Sequence, residues 1–505
     1  MGTTRLDGPA RGWEIALVKG TAPLYGIEAF LLSAAHVPVS SSRLLGVWLQ
    51  VICVLLLAVS LFFYWTNARE CATWKALALT VPFLSIAAVF HYNGGLQDFR
   101  LDLSLYLLLS AAGAWYLQTY DSRSRWPWVL AGCFLALASL SRATAPVYAV
   151  VMFGPLLAVR LFTREWRRVL SGLGWLLAPV LVAALPYFIY HFSYLHYYYV
   201  EFSKDANANL PVRESAAHFL YAWRNFGTVL GLASLLCGFS VILEVRPKWT
   251  SMDWKLLYLG FAPVLFLVLR GAGLNPFVSM PAVFGWLLFL LAPVKEAATT
   301  HRTAMIVLVL AACGWNALQA RSDQPNPHVR VEAFRQAIDW MRADSLHRKL
   351  PKVDFVTAHN WNFHPQFLRN VLLNEYGYTA GELRTISPEG IPWTREGLYK
   401  TPDLEYNYEM PFTAAVPLVW QEQVKGASDA EKIEWMLSEA RANLDYIFFP
   451  DEQTIDFMEK YIGHNYINTK TRAIRKRFLE SGEWERVGEP LVVTEVERVE
   501  MYRKR

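Results

Sequence analysis

Apolar residues come in long runs over the first 320 residues and in short, periodic ones afterwards. A membrane-spanning helix needs roughly 20 mostly apolar residues to cross about 30 Å of hydrocarbon. Runs near that length cover 43–65, 74–91, 102–119, 127–141, 144–162, 169–190, 227–245, 254–270, 277–294 and 303–319. The pattern predicts about ten spans. The fourth is short and joins the fifth through Ser141-Arg142-Ala143, which predicts a tight hairpin. Pro82, Pro146, Pro179 and Pro186 fall inside runs, where neighbouring helices of a membrane bundle accommodate them. Residues 13–35 are less apolar and broken by Lys19, Gly20 and Pro23. They suit a helix lying along the membrane surface.

After Ala320 the chain changes to Arg-Ser-Asp-Gln-Pro-Asn-Pro, a linker by composition. Helical spacing follows over Val331–Met341, Gln366–Tyr376, Ala430–Leu444, Thr454–Ile462 and Thr471–Ser481. Strand patterns cover Lys352–Ala358, Asp445–Pro450, Trp484–Val487 and Leu491–Tyr502. Alternating helices and strands predict a small α/β layer domain. The expected organisation is an outer loop with an interfacial helix over 1–42, a transmembrane domain over 43–320 and an extracytoplasmic α/β domain over 321–505.

Composition agrees with a polytopic membrane protein: 54% of the 505 residues are hydrophobic and only 18% charged. A net charge of +5, split among short loops, argues against a nucleic-acid partner. The last 185 residues hold none of the five cysteines, which excludes a disulfide framework or a cysteine metal site there. Lys and Arg set the orientation. Arg69, Lys75, Arg123, Arg125, Arg164, Arg167, Arg168, Arg246, Lys248, Lys255, Lys295 and Arg302 occupy one set of loops, which should be cytoplasmic. Residues 1–42, the loops 92–101 and 191–226, Arg270–Pro276 and the C-terminal domain then share the outer side.

That side collects the candidate chemistry. His91–Leu103 places Asp98, Arg100 and Asp102 between two apolar runs, and ionisable groups at a membrane edge invite a functional reading. Carboxylates there can take a proton from an incoming hydroxyl. Lys19, Arg142 and Arg270 can hold a phosphate, Arg with bidentate geometry. His196 and Tyr197 lie in an aromatic loop that suits sugar stacking or the headgroup belt. Asp102 is well placed to cap the helix after it. Arg142 could snorkel and Arg270 could complement a helix end. His359-Asn-Trp-Asn-Phe-His364 follows a strand, where ligands bind in such sheets, but reads more readily as a surface loop with two ordinary histidines.

Several stretches resemble the GT-C membrane glycosyltransferases, in the bacterial branch with the aminoarabinose, protein mannosyl and lipopolysaccharide core transferases. Leu17-Val-Lys-Gly-Thr-Ala-Pro-Leu-Tyr25, followed by Ser42-Arg43-Leu-Leu, resembles the family's first outer loop and next span. Gly94-Gly-Leu-Gln-Asp98-Phe-Arg100 is similar to its second outer loop, and Leu140-Ser-Arg142-Ala-Thr-Ala to the element after the short fourth span. Asn275-Pro-Phe-Val-Ser-Met-Pro281 loosely resembles a late loop. The resemblance implies a GT-C-like fold, a bacterial plasma-membrane location and transfer of a hexosyl or pentosyl group from a polyprenyl-phosphate donor to a lipid, glycan or protein acceptor. It implies Asp98 as an acidic residue of the site, Lys19 and Arg142 as phosphate-neutralising cations, and Asp7 as the base. It also implies that the family's first transmembrane helix, which ends in an acidic pair, is missing, so that the base has either moved to Asp7 or been lost. A divalent metal is compatible but not required, since Lys and Arg can neutralise the phosphate. Two other classes compete: a non-catalytic accessory protein with the same architecture, and a transporter or flippase for lipid-linked sugars.

Overall fold

The computed structural model describes residues 23–24, 27–28, 31, 47–90, 101–162, 166–192, 216–245, 251–270, 276–293, 299–319, 330–348, 355–357, 363, 428–462 and 466–505. They fall into two compact units, one reaching Gln324 and one beginning at Pro325. The first is helical and the second is built on a small sheet.

All ten apolar runs are helical. In order these are α1 (Val47–Phe63), α2 (Thr73–Leu84) with its continuation α3 (Ala87–Phe90), α4 (Leu101–Gln118), α5 (Trp126–Ser141) and α6 (Ala145–Leu161). Next come α7 (Trp166–Pro179) with α8 (Leu185–Tyr190), α9 (Ala217–Phe226), α10 (Thr228–Val245), α11 (Ser251–Arg270), α12 (Pro281–Leu291) and α13 (Thr299–Gln319). The prolines explain the breaks, since each removes a backbone N–H from the ladder and crowds the turn before it. Pro82 sits just before the end of α2, where Ser85 N–H donates to the Pro82 carbonyl. Pro179 and Pro186 bracket a widened π turn over Val180–Ala184. Gly227, at φ +93°, turns α9 into α10 through 90°.

Four segments are long and apolar enough to cross a membrane: Val47–Ala68, Trp166–Tyr190, Met252–Arg270 and His301–Gln319. The bent pair α9–α10 would make a fifth, and α5, α6 and α12 are shorter apolar helices. Many of these helices are apolar on both faces. On α1, Cys53, Leu57 and Leu61 are buried, while Ile52, Leu55 and Val59 are exposed. On α10, Leu232, Leu236, Phe239 and Leu243 form a second exposed stripe. A water-facing helix would put polar residues there. Helix α4 is buried on nearly every side and forms the centre of the unit. Small residues bring backbones together, as expected of packing in lipid. A Cβ at Gly285 would collide with the backbone of Gly260, and one at Gly132 with that of Leu176.

The second unit is a four-stranded sheet in the order β1 (Phe355–Thr357), β2 (Tyr446–Pro450), β4 (Arg498–Lys504), β3 (Trp484–Val492). β1 runs parallel to β2, and the other neighbours are antiparallel. Helix α14 (Val331–His347) packs Phe334, Ile338 and Met341 onto Tyr446, Phe448, Val499 and Met501. Helices α15 (Asp429–Asn443), α16 (Glu452–Ile462) and α17 (Tyr466–Glu480) complete the unit. Phe449 and Phe478 meet at 5.6 Å on the sheet's other face. The alternation of Tyr446 and Phe448 with Ile447 and Phe449 is the two-residue period of a strand covered on both sides. The closing strands differ from the expected ones: Leu491 and Val492 belong to β3, and the chain turns over Val493–Glu497. Val493 and Thr494 N–H both donate to the Glu497 carbonyl there. The expected helix over Gln366–Tyr376 lies outside the described residues, as does most of the expected surface helix 13–35.

Candidate functional site

The buried charge nearest the sequence candidates is Asp102. It lies in the first turn of α4, not ahead of it as a cap, and is only 5% exposed. A carboxylate in that position is favoured by the positive end of the helix dipole. Its partner is Arg142, the residue that ends α5 in extended conformation. Arg142 Nε stands 2.9 Å from Asp102 Oδ1. The contact is one of charge more than of a well-aligned hydrogen bond. The two residues are forty positions apart, and the packing of α4 on α5 brings them together.

Taking the Asp102 charge out of water beside a half-buried Arg142 costs more than a surface pair would, and such a pair often adds little net stability. An ion pair at the end of an apolar bundle is therefore weak evidence for a stabilising role and better evidence for a functional one.

Other polar groups gather at the same end. Three residues after Arg142, α6 begins, and Tyr148 in its first turn donates to the Val278 carbonyl at 2.5 Å. Ser279 then faces Asn225, at the end of α9, at 3.4 Å. Gly227 follows and lies against Asn316, whose Nδ2 donates to the Ser85 carbonyl at 2.9 Å. Asn225, Ser279 and Asn316 are all fully buried. Each sits where a helix ends or bends, so spare backbone carbonyls and side-chain amides satisfy one another.

Sequence reasoning missed Glu28. It is 8% exposed, and its Oε1 accepts the Leu49 N–H at 3.3 Å in the first turn of α1. Trp115 Nε1 donates to Ser60 Oγ at 3.0 Å, tying α4 to α1. Tyr64, further along α1's course, lies within electrostatic reach of Asp121, beyond the end of α4. The two helices therefore run parallel. At about 1.5 Å per residue, Leu49 and Asp102 stand at a similar height above the Ser60–Trp115 contact. Glu28 and the Asp102–Arg142 pair thus mark the same end. A Glu in a moderately apolar segment, twenty-one residues before the amide it binds, left no local signal.

Of the sequence candidates, the structure describes two. Arg142 is paired as above. Arg270 ends α11 with an exposed side chain. Asp7, Lys19, Asp98, Arg100, His196 and Tyr197 lie outside the described residues, as do His359 and His364. Among the described residues, no group of three His, Cys, Asp or Glu side chains is arranged to hold a metal ion.

No protein-family model and no curated protein matches the chain. Among solved structures it is similar to ArnT from Cupriavidus metallidurans bound to undecaprenyl phosphate, with 12% identity and a TM-score of 0.45, over 97% of this chain and 92% of that one. It is also similar to the apo state of the same protein, with 12% identity and a TM-score of 0.42, over 97% and 91% of the two chains.

Proposed function

We propose that the chain is a polytopic membrane glycosyltransferase of GT-C type. In this reading about ten spans and an outer C-terminal α/β domain sit in a bacterial plasma membrane. The enzyme moves a sugar from a polyprenyl-phosphate donor to a lipid, glycan or protein acceptor on the outer face. The observation that carries it is the Asp102–Arg142 pair, an ionic contact between a buried carboxylate and a half-buried guanidinium at the end of a bundle many of whose helices are apolar on both faces. Arg142 lies in the stretch that resembles the element after the family's short fourth span, and Asp102 comes two residues after the stretch that resembles its second outer loop. Asp7 is the base, which takes the proton of the acceptor hydroxyl as that oxygen attacks the anomeric carbon, and Asp98 is a second acidic residue that the site requires. The bond from that carbon to the phosphate oxygen breaks, and the lipid phosphate leaves with its electron pair. Lys19, Arg100, Arg142 and Arg270 neutralise it, and His196 and Tyr197 line the sugar's path. Asp102 is a positioning residue that holds the Arg142 guanidinium at the site.

The test is transfer from a labelled polyprenyl-phosphate sugar in proteoliposomes. Asp98→Asn should abolish transfer while the protein still inserts and folds. Transfer retained in both Asp98→Asn and Asp7→Asn would sink this assignment. Movement of the intact lipid-linked sugar across the bilayer without cleavage would favour a transporter.

A further inference from the structure

The opposite end of α4 holds a second group of charges that the proposed transfer does not use. The helix stops at Gln118, and its last carbonyls point into the turn Thr119–Ser122. Arg160, from the last turn of α6, donates from Nη1 to Thr119 Oγ1 at 2.7 Å and from Nη2 to the Thr119 carbonyl at 3.2 Å. Arg168, from the first turn of α7, donates from Nη2 to the Thr119 carbonyl at 3.0 Å and also to that of Ser122. Lys255, from the first turn of α11, places Nζ 3.9 Å from the centre of the Tyr120 ring. Arg160 Cζ lies 4.1 Å from the same centre. The two charges are therefore no more than about 8 Å apart, within one Debye length at physiological salt.

One cation is enough to complement the negative end of a helix. Here three helices deliver three, onto a single turn, and Arg160 is only 4% exposed. Among the described residues, Asp121 and Asp253 are the acids within electrostatic reach of Tyr64, beside this end of α4. Around the turn runs a rim of exposed aromatics with cations laid on them. Arg125 lies 5.8 Å from the Trp126 ring and 5.2 Å from that of Trp175, and Arg167 5.2 Å from Trp166. Phe162 is 92% exposed. Tryptophans with one face open and a cation beside them belong at headgroup depth.

We propose that this turn binds the phosphodiester of an anionic glycerophospholipid, with Arg168 and Lys255 as the cations that reach it and the Trp126–Trp175 rim against its glycerol and upper acyl carbons. The inference rests on the reading of the helices as membrane spans. Arg fits phosphate oxygens in its fork, and Lys adds a mobile point charge. The aromatic rim is what favours a lipid over free phosphate.

The test uses the delipidated full-length protein in a neutral detergent. Phosphatidylglycerol, phosphatidylcholine and inorganic phosphate are titrated separately, with bound lipid counted by native mass spectrometry and stabilisation read by thermal shift. Phosphatidylglycerol should be retained several-fold over phosphatidylcholine. The double variant Arg168→Gln/Lys255→Gln should bring that ratio to near one, while Lys476→Gln, on the exposed surface of α17, should leave it unchanged. Equal retention of both lipids by the natural protein overturns the proposal, as does a double variant that is less stable but keeps the preference. Stabilisation by inorganic phosphate equal to that by the lipid overturns the lipid assignment. Release of the protein from membranes by alkaline carbonate would instead sink the membrane reading itself.

Discussion

The two units treat buried carboxylates differently. In the helical unit, Asp102 meets one cation among the described residues, Arg142, at the end of two helices. In the sheet unit, Glu500 and Asp344 each collect several donors. Glu500 on β4 receives Arg475 at 2.6 Å, the Tyr502 hydroxyl at 2.7 Å and Arg486 at 3.4 Å. Asp344 on α14 receives the Tyr446 hydroxyl at 2.5 Å, Arg503, and Arg348 at 3.5 Å. Glu497 takes the Phe363 N–H at 3.2 Å and pins the β3–β4 turn with its backbone. Burial by itself pushes the Asp344 and Glu500 carboxyls up. The hydroxyl and guanidinium donors outweigh it and hold both below the usual carboxylate range. Networks of this kind act as scaffolding, because the carboxylate oxygens are shared among donors that fix one strand or helix against another. A single ionic contact at a helix end fixes little of the fold and can be rearranged by an arriving charged ligand.

The largest effect should come from Arg142→Ala, which leaves a buried carboxylate alone. It should lower stability by about 3 kcal/mol or more and abolish transfer. The pair Asp102→Leu/Arg142→Leu should regain most of the stability without regaining transfer. A double variant that transfers normally would break the contrast between the two units. Thermal unfolding and the transfer assay, run on the same preparations, separate the two outcomes.

In the sheet unit, Arg475→Ala should also cost about 3 kcal/mol, since Glu500 loses its closest cation. There the transfer rate of the folded fraction should stay near that of the natural protein. Loss of transfer at full folding would mean that these carboxylates do more than hold the sheet.

Asp344→Asn should cost about 2 kcal/mol near neutral pH, read as faster hydrogen exchange in 331–347 and 446–450 of the full chain. Because the Asp344 carboxyl is held below its usual value, its contribution is complete above the ordinary carboxylate range. It disappears as pH falls through the lowered value. The exchange rates of variant and natural protein should therefore converge in strong acid. A difference that persists there would show packing, not charge, to be the cause.

The smallest effect is at the start of α15. Ser428 accepts the Glu431 N–H, and Glu431 accepts the Ser428 N–H in return, forming a capping box. Ser428→Ala should cost about 1 kcal/mol, seen as fraying of 429–433 by exchange, with transfer unchanged.

The helices were legible because their signals are local. Ten apolar runs produced ten helical segments, and the strand Tyr446–Pro450 was visible as a dense run of apolar and aromatic residues between a helix and a proline. The candidate site was legible only in part. Arg142 stood out as a cation between two apolar runs, but its partner looked like an ordinary helix cap, and nothing near Arg142 in sequence is acidic. Glu28 carried no signal, since its partner is a backbone amide twenty-one residues on. The Thr119 turn carried no signal: Arg168 and Lys255 were read only as loop charges and Arg160 not at all, because the three arrive from helices separated by as many as ninety-five positions.

What the sequence alone determined is the division into an apolar helical part and a polar α/β part, and the positions of the prolines inside the apolar runs. Those depend on hydrophobic period, backbone dihedrals and missing N–H groups, all of which act within a few residues. Tertiary structure decided which charges meet. Asp102 pairs with Arg142, and Arg160, Arg168 and Lys255 converge on Thr119–Ser122, because helix ends stack at common heights when long apolar helices pack side by side. The energy of a buried charge depends on what lies within a few ångströms of it in space, and no pattern along the chain carries that distance.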